Sequence, residues 1–192
     1  GMPLVKNKDW LRNPIDSFIL QRLEQQEMLP AESLSALALA RRAAFDLTGL
    51  PLLLEDLNRF EAENGKDSER AYRNLVDRLL ASQHYGERWG RHWLDVVRYS
   101  DTTGQEADWV MRYAWRYRDY VLNAFNYDKP YDQFVIEQLA GDLLPAEGDF
   151  DAIAERIVAT GFLMLSPKAT AEADKELMEL DIVDEQIDVS GR

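Results

Sequence analysis

The sequence predicts an all-α fold: an irregular multi-helix single domain of about eight or nine helices, with little or no sheet. Three observations carry this. Apolar residues recur three and four apart along almost every segment, the spacing of one helix face. Capping residues, prolines and glycines fall where such segments begin and end. No stretch alternates apolar and polar residues as a half-buried strand does, and there is no internal repeat.

Asn13-Pro14 opens the first helix, with a capping side chain before a proline whose fixed φ suits the first turn. Ile15, Phe18, Ile19, Arg22 and Leu23 continue it at helical spacing, and Pro30 follows its end. Ser33 or Ser35 caps a second helix through Leu37, Ala40, Ala44 and Leu47, stopped by Gly49 and Pro51. A shorter helix from Leu53 or Leu54 to Glu63 ends at the turn Asn64-Gly65-Lys66-Asp67. Ser68 caps the next, whose apolar face is Ala71, Leu75, Leu79 and Leu80. A helix from about His84 to Tyr99 breaks at Thr102-Thr103-Gly104-Gln105, leaving an irregular loop to about Trp109. Met111 to Asn126 is helical, and Lys129-Pro130 starts another helix to Ala140. Phe150 to Leu163 and Glu172 to Val189 complete the set, the last with Leu177, Leu180, Val183 or Asp184, and Ile187 in register.

Chain length and composition fit one such domain. The 192 residues are enough to bury a sizeable core, and 46% hydrophobic with 30% charged residues is ordinary for a soluble globular protein. Gly1 ahead of Met2 reads as a residue left by expression, and residues 1–9 as a flexible lead-in. Residues 10–192 read as the helical domain, a fragment of a longer parent chain. The net charge of −13 disfavours binding to nucleic acid or to an anionic membrane, since both repel such a field. With no cysteine, disulfides, thiolate metal sites and cysteine nucleophiles are excluded. No apolar run is long enough to span a membrane. Phosphate-binding glycine loops and nucleophile-elbow serines are absent.

Chemistry-bearing residues concentrate between His84 and Tyr120, which hold both histidines, four of five tryptophans and five of eight tyrosines. This segment also carries six arginines and six acids, so it is neutral in an acidic chain. Tyr85, Trp89, His92 or Trp93, and Val96 share one helix face; Gly90, Leu94 and Val97 share another. A helix so apolar is expected to be central, with Gly90 marking a close approach by a neighbour. Asp95 lies within reach of both Arg91 and Arg98 along the helix.

The expected ligand-binding surface is Trp89, His92, Asp95, Arg98, Asp101, Glu106, Trp115 and Arg116. Trp89 and Trp115 would supply stacking area, the arginines would orient carboxylates, and His92, Asp101 and Glu106 would meet ligand or ion. Aromatic rings beside Arg and Asp serve equally to satisfy polar handles in a core. Asp101 and Glu106, in the loop after the aromatic helix, are candidates for a catalytic acid–base pair. His92 with nearby carboxylates offers metal donors, but at no known ligand spacing, and no metal is expected.

Several blocks also resemble one family. They are Trp10-Leu11-Arg12-Asn13-Pro14-Ile15-Asp16; Arg41-Arg42 with Asp46-Leu47-Thr48-Gly49-Leu50-Pro51; and Tyr85-Gly86-Glu87-Arg88-Trp89 followed by His92-Trp93-Leu94-Asp95, Arg98-Tyr99 and Asp101. Trp115-Arg116-Tyr117-Arg118-Asp119-Tyr120, Asp128-Lys129-Pro130-Tyr131-Asp132, Gln138-Leu139-Ala140-Gly141-Asp142 and Ala159-Thr160-Gly161-Phe162 continue the match. Together they are similar to the planctomycete-type cytochrome-c-associated domain of unknown function, second of the PSCyt series. The resemblance implies a helical binding or scaffold domain of an exported, periplasmic or extracellular, multidomain protein. Its partners would be other domains of the parent chain, and a carbohydrate or redox partner linked to polysaccharide utilisation. The alternative is a carbohydrate-active enzyme domain using Asp101 and Glu106. In relatives the last helix runs into a Cys-x-x-Cys-His haem motif, which here would begin just after Arg192. No cofactor is therefore expected in this fragment, whereas haem c is possible in the parent.

Overall fold

A computed structural model describes residues 1–104, 108–145, 148–165 and 174–191. Among these residues there are nine α-helices and no strand, as the apolar periodicity predicts. They are α1 (Pro14–Gln25), α2 (Ala36–Thr48), α3 (Leu54–Asn64), α4 (Ser68–Leu80), α5 (Gln83–Val97), α6 (Ala114–Asn126), α7 (Tyr131–Ala140), α8 (Phe150–Ala159) and α9 (Lys175–Ser190). A 3₁₀ turn precedes α1 at Lys8–Trp10, and another extends α8 at Thr160–Leu163. The chain forms two compact units, Gly1–Ala38 and Leu39–Arg192.

In the first unit, Asn13 caps α1 by accepting from the amides of Ile15 and Asp16. Asp16 reaches back to the Asn13 amide and completes a capping box. The amides of Arg12 and Asn13 hold the Asp16 carboxyl below its ordinary range. Backbone amides of Lys6 and Asn7 donate to Glu24 of α1. Ser17 and Leu20 face inward, while Ile15, Phe18 and Ile19 are exposed. Helical spacing located that apolar row but not the side it faces.

The second unit is built around two helix pairs. In α3–α4, Phe60, Ala71 and Leu75 are buried, and Arg78 pairs with Asp56 and Glu63 at 3.6 and 3.5 Å. The α4 cap is Asp67, one residue before the serine the sequence suggested; its carboxylate accepts from the Arg70 amide. The α5–α6 pair makes the most extensive helix–helix contact among the described residues. Gly86 and Gly90 are both buried there, and a Cβ on Gly86 would collide with the Leu122 carbonyl and stand 2.7 Å from Asn126 Cγ. Asn126 locks the approach, accepting from the Gly86 amide at 2.8 Å and donating to the Gln83 carbonyl.

The core lies where α5 and α6 meet α7, α8 and α9. It contains Val97, Tyr117, Tyr120, Val121, Phe134, Ala159, Phe162 and Val189, with half-buried Trp93, Leu94 and Tyr99 against it. α5, expected to be central, enters the core by one face only, which corrects that expectation. Glu87, Arg88, Trp89, Arg91, His92 and Asp95 form an exposed face. The loop after α5 is pinned by an antiparallel bridge between Thr102 and Val110, with the Met111 amide donating to the Asp101 carbonyl at 2.8 Å.

Candidate functional site

The sequence-predicted surface separates into four places. On α5, Trp89 and His92 meet edge to face, 5.4 Å between ring centres, and the Trp89 indole donates to the Asp46 carbonyl at 3.2 Å. His92 is exposed. Asp95 is exposed too and approaches Arg91 at 3.9 Å, a pair of the kind worth little in water.

Arg98 does not share Asp95, contrary to the sequence expectation. It closes α5 in a left-handed conformation (φ 55°), which swings its guanidinium away from its own helix. There it pairs with Glu185 and Asp188 of α9. Asp101 accepts from the Tyr99 hydroxyl at 2.6 Å. Burial, then this carboxylate, pushes the Tyr99 phenol above its ordinary range. Glu106 lies outside the described residues, so the Asp101–Glu106 pair has no geometry here. Trp115 and Arg116 stand together on α6, the guanidinium 5.6 Å from the indole centre. With Asp119, Asn123, Asp151 and Glu155 they line an open groove against α8.

Rings and polar groups converge instead where α5, α6 and α7 meet. Tyr85, Trp93, Phe125, Tyr131 and Phe134 line a cleft of about 220 Å³, bounded by Asp128 and Lys129. The Trp93 and Phe134 rings are 4.9 Å apart at 63° and make its floor. Asp128 has positive φ (50°), and this tight turn carries the chain from α6 into α7 and brings Lys129 back over the core. The Lys129 ammonium sits 4.7 Å from the Tyr120 ring centre and pairs with Glu137.

Glu137 is the most deeply buried carboxylate of the described residues, only 2% exposed. Three donors satisfy it: Lys129, the Tyr120 hydroxyl at 2.9 Å and the Gln133 amide at 2.8 Å. Burial raises its proton affinity, but these donors together outweigh burial and hold the carboxyl below its ordinary range. Next to it, Gln138 accepts from the Trp93 indole at 2.8 Å and the Tyr117 hydroxyl at 2.5 Å, and donates to the Phe134 carbonyl. Burial pushes the Tyr117 phenol up, and burial with the Glu137 carboxylate pushes Tyr120 up.

This network fixes Trp93, the floor of the cleft, by both its ring packing and its indole N–H. A cleft whose floor is held in this way is preorganised, so a ligand need not order it. The sequence reading missed Lys129, Gln133, Glu137 and Gln138. The available signal was the adjacent Glu137-Gln138 in a short helix otherwise rich in Phe, Val, Ile and Leu.

Among the described residues, no group of three or more His, Cys, Asp or Glu side chains is placed to hold a metal ion. No described helix is long and apolar enough to cross a membrane. No curated protein and no solved structure matches the chain. A family model described as PSCyt2, protein of unknown function (DUF1549), matches residues 14–192. That covers all nine helices and every block of the sequence resemblance from Pro14 onward, and the chain belongs to this planctomycete cytochrome-c-associated family.

Proposed function

We propose that the chain is a helical binding module, and that the α5–α7 cleft takes up one sugar ring of a polysaccharide. The observation that carries this reading is the convergence of five aromatic side chains on one small cleft bounded by a carboxylate and an ammonium. The C–H face of a pyranose packs on aromatic rings, and its hydroxyls require donors and acceptors at the edge. Asp128 and Lys129 supply both. A volume of about 220 Å³ suits one ring and not a larger cofactor.

The proposed setting is an exported, multidomain protein acting beside a cytochrome c module, which follows the family resemblance. Covalent haem attachment needs cysteine thiols, and this chain has none, so a haem partner would be carried by other polypeptide. No observation favours the alternative of acid–base catalysis by Asp101, whose carboxylate is engaged by Tyr99.

The test is a titration of the chain with neutral and acidic oligosaccharides, followed by tryptophan fluorescence. At least one saccharide should quench or shift the emission saturably. Tyr131→Ala, at a ring 71% exposed, should weaken that binding about tenfold without lowering the unfolding midpoint. Absence of binding across the series, or unchanged affinity in Tyr131→Ala, rejects the reading.

A further inference from the structure

The last described helix has two apolar faces. At 100° per residue, Met178, Ile182, Gln186 and Val189 fall on one side of α9, and this side faces the body. Val189 is in the core, the Gln186 amide donates to the Leu163 carbonyl, and Glu185 on the same side pairs with Arg98. On the other side, Leu177, Leu180, Val183 and Ile187 form a continuous row with exposures of 46, 61, 51 and 66%. The sequence pattern picked out this second row as the apolar repeat of the last helix, and the structure turns it outward. Four large aliphatic side chains in one row, about 15 Å long, exceed the scattered exposed leucines of an ordinary surface.

The row is bordered by acids. Glu176 and Glu179 flank it on one side, and Asp181 and Asp184 on the other. The whole helix carries six acids against Lys175 alone. We propose that the outer face of α9 is a docking surface for an amphipathic helix whose apolar row is flanked by lysine or arginine. Helices pair by packing such rows together, and charges along the seam select the partner. A second copy of α9 would set acid against acid along both edges of the contact, which disfavours self-pairing. A basic partner instead gains attraction at each edge while covering the aliphatic row. The Arg98 pairs to Glu185 and Asp188 brace α9 against α5, so the helix is presented on a fixed support.

The experiment uses the whole chain and three fluorescent peptides of three to four helical turns. One has leucines at helical spacing flanked by lysines, the second has glutamates in place of those lysines, and the third is a scramble of the first. Fluorescence anisotropy should show saturable binding of the lysine peptide, at least about tenfold tighter than either control and weakening as salt rises. The double variant Leu180→Asp with Ile187→Asp should lose that preference. Its circular dichroism and melting should be unchanged, because both side chains are more than half exposed.

Failure of the lysine peptide to bind overturns the proposal. So does equal binding of the scramble, which would mean charge alone, or of the glutamate peptide, which would mean that charge is irrelevant. Undiminished binding by the double variant overturns it too. Concentration-dependent dimerisation that the variant abolishes would assign the surface to a second copy and also overturn it.

Discussion

Replacing Glu137 with alanine removes one acceptor from three donors and leaves the Lys129 charge beside the Tyr120 ring with no counter-ion. The two side chains are 2% and 18% exposed, so the pair is a buried one. Deleting one partner of a buried pair costs about 3–5 kcal/mol, and the partial exposure of Lys129 argues for the lower end. A loss of about 3 kcal/mol corresponds to a fall in melting temperature of about 6–12 °C for a chain of this size. Replacing both partners together, Glu137→Leu with Lys129→Met, removes the stranded charge. That double variant should recover at least half of the loss, leaving mainly the orphaned Tyr120 hydroxyl.

Urea unfolding followed by tryptophan fluorescence measures both variants. Because the donors hold Glu137 below the ordinary carboxyl range in the folded chain, its contribution is present at neutral pH. It is lost as the pH falls through the ordinary glutamate value towards the folded one. Acid should therefore destabilise the parent chain more than the double variant. A cost below about 1 kcal/mol for Glu137→Ala, or a double variant as damaged as the sum of the singles, would refute the reasoning.

Three further outcomes follow from the same geometry. Burial keeps Tyr117 and Tyr120 protonated in the fold, as burial and Asp101 keep Tyr99, so stability is complete below the ordinary phenol value of 10.0 and declines as the pH rises past it. Absorbance at the phenolate band near pH ~11 should be lower for the folded than for the urea-unfolded chain, and equal absorbance would contradict the burial. Gly86→Ala should destabilise by more than about 2 kcal/mol, since its Cβ meets the α6 backbone. Gly90→Ala, whose nearest neighbour is the movable Leu122 Cδ1 at 3.1 Å, should cost less, and the reverse order in thermal melts would disprove the stated packing. Arg98→Met should raise amide exchange in α9 while leaving α3–α4 unchanged, and uniform exchange across the chain would show that Arg98 does not brace α9.

Legibility tracks distance along the chain. Asn13-Pro14 and Gly49 act on neighbours within a turn, so the start of α1 and the end of α2 could be read nearly to the residue. Gly90 correctly signalled a close approach, because a glycine inside a helix has few other reasons to be there. The candidate site was less legible. Of its expected members, Trp89 with His92 and Trp115 with Arg116 do associate, being sequence neighbours, but the two pairs lie on different helices. Arg98 was assigned to Asp95 by helical spacing, whereas the left-handed turn at its own backbone sends it to α9, 87 residues away. Glu137 was not singled out, because nothing local shows that the Asp128 turn returns an ammonium to it.

The sequence by itself determined the all-helical class, the approximate place of the helices, the acidic charge and the family, because those depend on local backbone preference, composition and motif order. Only the tertiary structure decided which face of each helix is inside. On α1 and α9 the more regular apolar row points outward; on α5 the aromatic helix is half exposed; and Trp93, not Trp89, becomes the floor of the cleft. The physical reason is that periodicity specifies that a helix has an apolar face, while burial is settled by which neighbour can approach. Here, two glycines on α5 and a pair of buried polar side chains on α7 determine that approach.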